Sequence, residues 1–171
     1  MPFDVSTTTG SLELVKLMIN SVISRQNTQF AAFDIKNFYL DTPMDNPEYV
    51  RLKLEDIPKE FIEEYHLLDN ERHGWVYFEI VRGCYGLPQS VKLANDLLRT
   101  ILEDAQYYET ATTPGLWRHK WRSIQFVLIV DDFRIEYVRK QDADHLASVL
   151  KKHHDIYQDW EGKKFAGIDL D

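Results

Sequence analysis

A chain of 171 residues with 44% apolar and 13% aromatic side chains can bury a core of its own, which excludes a disordered segment and predicts one compact domain, or one with a small lobe. Its longest unbroken apolar run, residues 126–130, falls far short of the roughly 20 residues that a membrane-spanning helix needs, and the N-terminus carries no basic-then-apolar leader pattern. A soluble intracellular protein, cytoplasmic or nuclear, is therefore expected, and 28 acidic against 20 basic residues (net charge −8) leave no basic run of the kind that marks nucleic-acid binders.

Leu12, Val15, Met18, Ile19, Val22 and Ile23 recur at three- and four-residue spacings behind Ser11, which predicts an amphipathic helix with a serine N-cap. Residues 30–35 read as a buried strand that runs out into the polar stretch Asp41, Thr42 and Pro43. Val50, Leu52 and Leu54 alternate with Arg51 and Lys53 as a half-buried strand. Pro58 opens a short acidic helix, and 75–81 is a further strand. After Gly83 and Gly86, Pro88 suits the first turn of a helix reaching about residue 104. Its apolar face is Leu93, Leu97, Leu98, Ile101 and Leu102. A weak strand at 116–119 and a strong one at 124–130 lead to Asp131 and Asp132 at a hairpin tip. A return strand at 133–138, a helix at 142–153 and a last strand-like piece at 164–170 follow.

From residue 30 on, with an insertion at about 44–82 set aside, the order is strand, helix, strand, strand, helix, strand. This is the split βαβ pattern of ferredoxin-like α+β folds, with helices on one face of an antiparallel sheet. No repeat or linker divides the chain, so 1–171 is taken as a single domain.

Two divalent ions roughly 3.5–4 Å apart neutralise the charge on phosphate oxygens in nucleotidyl transfer, and such hard ions take carboxylate ligands. Asp34 lies near the end of one apolar strand, and Asp131 and Asp132 directly follow another. Adjacent aspartates inside a strand would push one carboxylate into the core, so a hairpin tip suits them. With the two strands adjacent, the three carboxylates meet at one sheet edge, each raising the cost of ionising the others until a metal is present. Singly, each is an ordinary strand-end or turn aspartate. The combination with a Gly-Leu-Pro-Gln helix start between them is far more specific.

These residues resemble the reverse transcriptases of LTR retrotransposons and retroviruses. Ala-Phe-Asp-Ile-Lys-Asn-Phe-Tyr-Leu-Asp-Thr-Pro at 32–43 is similar to the family's first catalytic motif, Gly-Leu-Pro-Gln at 86–89 to the second, and Ile-Val-Asp-Asp at 129–132 to the third, with Ile129 where many members carry tyrosine. Phe-Ala-Gly-Ile-Asp-Leu at 165–170 is similar to the strand turn that holds the primer end. The resemblance implies a polymerase palm with partial fingers, thumb and RNase H absent, and RNA-directed DNA polymerase activity. It implies Asp34, Asp131 and Asp132 as catalytic residues binding two magnesium ions, with manganese as substitute. Ile35, Tyr39 and Gln89 would line the nucleotide site, the Tyr39 ring clashing with a ribose 2′-hydroxyl. Ala166 and Gly167 would contact the primer. Implied partners are a template-primer, deoxynucleotides, and the remaining polyprotein segments or a second copy, with no membrane.

The chain also departs from the family pattern. Arg134 and Arg139 follow the paired aspartates where relatives carry a small residue; a large cation there is placed to pair with Asp132 or to distort the hairpin. Ser90 and Val91 follow Gln89 where small residues are usual. Only 33 residues precede Asp34, and Lys16 and Arg25 fall in a helix instead of basic fingers strands. The chain alone is therefore expected to polymerise poorly or not at all, and a degenerate palm serving as a non-catalytic nucleic-acid-binding or assembly module is the alternative. A different two-metal phosphotransferase or cyclase lacks a glycine-rich phosphate loop to support it. His153, His154 and Asp155 are expected as a solvated helix end, Trp117, Trp121 and Trp160 as core or interface, and the single Cys84 as a buried hydrophobe.

Overall fold

The computed structural model describes residues 7, 9–162, 164–165 and 168–169. Among them run α1 (Leu12–Ser24), β1 (Gln29–Ile35), β2 (Pro43–Lys53), α2 (Lys59–Glu64), β3 (Trp75–Arg82), α3 (Pro88–Asp104), β4 (Tyr107–Glu109), β5 (Leu116–His119), β6 (Ile124–Ile129), β7 (Asp132–Tyr137), α4 (Lys140–Lys151), β8 (Ile156–Asp159), β9 (Lys164–Phe165) and β10 (Ile168–Asp169). The fold is mixed α+β. A six-stranded antiparallel sheet, in the order β4-β5-β6-β7-β1-β8, carries the core.

The three central strands, β6, β7 and β1, are largely buried on both sides, although β7 is apolar only on the face of Phe133, Ile135 and Tyr137 and carries Asp132, Arg134 and Glu136 on the other. Phe126, Leu128, Phe133, Ile135, Ala31, Phe33 and Ile35 point to one face and pack with Ala94, Leu98 and Leu102 of α3 and Ala143, Leu146 and Leu150 of α4. On the other face Val127 is fully buried against Val15 and Met18 of α1, with Phe30 and Ile129 beside them. The expectation of helices on one face is thus corrected: α1 covers the opposite side. Its start matches the sequence reading, since Ser11 Oγ accepts a hydrogen bond from the Leu14 amide at 3.2 Å.

Three further differences have local causes. The strand beside β1 is β8, not the predicted piece at 164–170; only Ile156 of β8 is buried, too weak an apolar signal to read as a strand. Lys164–Phe165 pairs instead with Ile168–Asp169 as a separate small hairpin. The turn between β6 and β7 is centred on Val130 and Asp131, with Asp132 already in β7 opposite Ile129. Helix α4 starts two residues earlier than predicted, because Asp142 in its first turn is buried and bonded to Arg139.

The insertion forms a separate two-stranded antiparallel hairpin, β2 with β3. The half-buried strand expected at Val50 and Leu52 is exposed (38% and 44%), because β2 pairs with β3 alone, apart from the six-stranded sheet. Pro88 occupies the first turn of α3 as predicted, and α3 ends at Asp104. Among the described residues no helix is long and apolar enough to cross a membrane.

Candidate active site

Asp34 and Asp132 are direct partners across the β1–β7 ladder. Asp131 joins them because the β6–β7 loop is only two residues long and the Ile35 amide donates to the Asp131 carbonyl oxygen at 3.1 Å. The two apolar strands β1 and β6, expected to be adjacent, are not neighbours: β7 lies between them, and Asp132 at its start, with Asp131 on the turn before it, brings three half-buried carboxylates together at one end of the sheet. Val130 takes a left-handed backbone (φ 59°), which is costly for a β-branched residue and lets the loop close in two residues.

The charges act on one another. Burial first, then the negative charges of Asp131 and Asp132, push the Asp34 pKa upward, against the opposing pull of Arg134 and Lys36. Burial also raises Asp131, with the Asp132 charge acting the same way and its own backbone hydrogen bond opposing. Such a cluster of carboxyls, poised against ionising together, is what a bound cation relieves.

Arg134 already supplies one cation. Its side chain is 8% exposed, and Nη1 stands 3.2 Å from Asp132 Oδ1. Among the described residues no three His, Cys, Asp or Glu side chains are gathered closely enough to hold a metal ion as they stand. The donor chemistry of Asp34 and Asp131 suits a hard divalent ion, whereas Asp132 is committed to the guanidinium. Asp34 and Asp131 would be the residues to hold magnesium, a hard ion that takes oxygen ligands.

Tyr39 lies at the same rim, half-buried. Its ring meets Tyr85 edge-on at 5.2 Å and Phe38 at 5.4 Å, and burial, with Asp131 next in weight, raises its pKa. Gly83 fixes this approach: a Cβ there would stand 2.5 Å from the Tyr39 carbonyl oxygen, and the Gly83 amide donates to Thr42 at 2.8 Å. Tyr85 was not anticipated, although its place between Gly83 and Gly86 signals a tight segment folded against the first motif.

The other predicted site residues are placed as follows. Ile35 is 1% exposed, its side chain in the core and its amide on Asp131. Gln89, in the first turn of α3, donates to Glu48 on β2 at 2.5 Å, which ties the helix start to the insertion. Ala166 and Gly167 lie outside the described residues.

Residues given structural expectations divide. Trp117 is buried and Trp160 packs edge-on against Phe33 at 5.0 Å, but Trp121 is 69% exposed. His154, expected in solvent, is 8% exposed against Phe38, because the chain turns back through it into β8; Cys84 is only half-buried. Comparison of the chain with protein families, curated proteins and solved structures finds no match.

Proposed function

We propose that this chain is the palm region, with partial fingers, of an RNA-directed DNA polymerase of the retrotransposon type, built for two-metal nucleotidyl transfer on a template-primer. The observation that carries the reading is the register of Asp34 against Asp132 with Asp131 on the adjoining loop, bonded through its carbonyl to Ile35. Support also comes from connectivity: β1, α3, β6, β7, α4 and β8 give the sheet order β8-β1-β7-β6, the arrangement of a split βαβ fold. The β2–β3 insertion, tied to α3 through Glu48 and Gln89, is assigned to the fingers.

In this reading the chain's own residues do the positioning. Asp34 on β1 and Asp131 on the turn that enters the neighbouring β7 cannot drift apart without breaking the central ladder. Magnesium or manganese, when bound there, would neutralise charge on phosphate oxygens. The Tyr39 ring, braced by Tyr85 and by the close approach of Gly83, forms one wall where a deoxyribose would lie. Deoxynucleotides and a template-primer are the ligands, and other segments of a polyprotein or a second copy complete the grip.

Manganese titration by calorimetry, beside template-primer extension, tests the proposal. Binding is expected in the unmodified chain and is lost in Asp34→Asn and in Asp131→Asn; extension is faint and absent in Asp131→Ala. Manganese binding insensitive to both asparagine variants would overturn the catalytic reading. The alternative, a palm retained as a nucleic-acid-binding or assembly module without catalysis, is favoured by one observation, the Arg134–Asp132 ion pair in place of a third free carboxylate.

A further inference from the structure

We propose that Arg134 is a resident cation of the carboxylate rim: it masks Asp132, so that a divalent ion is held by Asp34 and Asp131 alone and a third ligand becomes available only when the guanidinium is displaced. The inference rests on the reading of the rim as a metal site and adds a device that limits it.

Its basis is positional. On the sheet face that carries Asp34 and Asp132, Arg134 is the next residue along β7 pointing the same way, two positions after Asp132. Its register neighbours are Ala32 on β1 and Val127 on β6, both apolar and buried, so the side-chain stem lies on an apolar floor. A guanidinium this buried is stable only beside negative charge, and Asp132 Oδ1 lies 3.2 Å from Nη1. A second bond from Nη1 to the Phe133 carbonyl oxygen at 3.3 Å, within β7 itself, fixes the head group. Asp132, at 39% exposed, is the more accessible partner and the one a hydrated ion would reach. An ion seeking three carboxylates must therefore break an ion pair that the fold has already closed.

The test is a double-substitution cycle read by manganese affinity, with calorimetry and water-proton relaxation as readouts. Arg134→Gln is expected to bind manganese about ten-fold more tightly than the unmodified chain. In an Asp132→Asn background most of that gain disappears, because nothing remains to be unmasked. Arg118→Gln, which removes the same charge from an exposed position on β5, leaves the affinity near that of the unmodified chain. An equal gain from Arg134→Gln in both backgrounds, or no gain at all, would overturn the masking role.

Should Arg134→Gln fail to fold, the unmodified chain is read by carbon NMR of its aspartate carboxyls during a magnesium titration. The Asp34 and Asp131 signals are expected to shift at concentrations that leave Asp132 unchanged; simultaneous shifts of all three sink the inference. The two proposals fail differently. Manganese binding indifferent to Asp34→Asn removes the metal site itself, whereas binding that depends on Asp34 and equally on Asp132 removes only the masking.

Discussion

Asp34 faces Asp132 across the central ladder of the sheet, two like charges in register at the end where β1 and β7 run out together. Like charges directly opposite each other are destabilising by roughly 0.2–1 kcal/mol. Asp34→Asn is therefore expected to stabilise the metal-free protein by about 0.5 kcal/mol in urea unfolding with EDTA present. The same variant loses the added stability that manganese confers on the unmodified chain. Equal unfolding midpoints for the two chains in EDTA would show that the pair carries no strain.

Gly83 is the clearest packing constraint near the rim. A methyl group there meets the Tyr39 carbonyl oxygen at 2.5 Å and Ser90 Cβ at 3.2 Å, and backbone cannot give way as a long side chain can. Gly83→Ala should cost about 1–3 kcal/mol, as overpacking typically does. Displacement of Tyr39 should appear as changed tyrosine signals for Tyr39 and Tyr85, whose rings now meet at 5.2 Å. A variant as stable as the parent, with both signals unmoved, would contradict the tight approach.

The far side of the core contributes to the acid sensitivity. His119 Nδ1 accepts backbone N–H bonds from Trp121 and Arg122, both at 3.2 Å, and His145 Nδ1 shares a 3.0 Å hydrogen bond with the buried Tyr107 hydroxyl. Burial depresses both histidines below the ordinary 6.5, with neighbouring positive charge from His145 and Arg122 adding to it for His119, and from Arg122 and Lys152 for His145; Asp142 pulls the other way. The unfolded chain then takes up these protons first, so stability is complete above about pH 6.5 and declines as the pH falls below it. Unfolding free energies measured from about pH 7.5 to about pH 5 should fall, and the fall should be shallower in His119→Gln. A flat profile would contradict the burial argument.

Asp142 anchors the start of α4. It is 1% exposed and receives Arg122 Nη1 at 3.1 Å and Arg139 Nε at 3.0 Å. Burial pushes its pKa up, but the hydrogen bonds from Arg139 and Arg122 outweigh this and leave it below the usual carboxylate value. Its contribution is present at neutral pH and is lost as acid titrates the folded carboxylate. Asp142→Asn is expected to cost about 1–3 kcal/mol at neutral pH, less than a fully buried pair because both arginines reach solvent. Unchanged stability at neutral pH would show that the two arginines are indifferent to the charge.

Much of the fold was legible because single helices and buried strands announce themselves by period. Ser11 and the spacing from Leu12 to Ile23 marked α1, Pro88 marked α3, and the runs around Phe33 and Phe126 marked the central strands. Residues whose burial comes from distant partners were hidden. Ile156 alone does not spell a strand; β8 exists because β1 offers it an edge. His154 reads as a solvated residue after a helix, yet the chain folds it onto Phe38.

Chemical type and order along the chain belong to the sequence: three aspartates at the ends of two apolar strands, an aromatic residue five positions past the first, and an arginine two positions past the last. Which strands become neighbours is set by burying both faces of the central sheet, a cooperative outcome that no local window contains. That pairing brought Asp34 opposite Asp132, and it also placed Arg134 under Asp132 with its charge already spent. Side-chain alternation along a strand sends residues two apart to the same face, so the register that assembles the carboxylates brings the guanidinium with them.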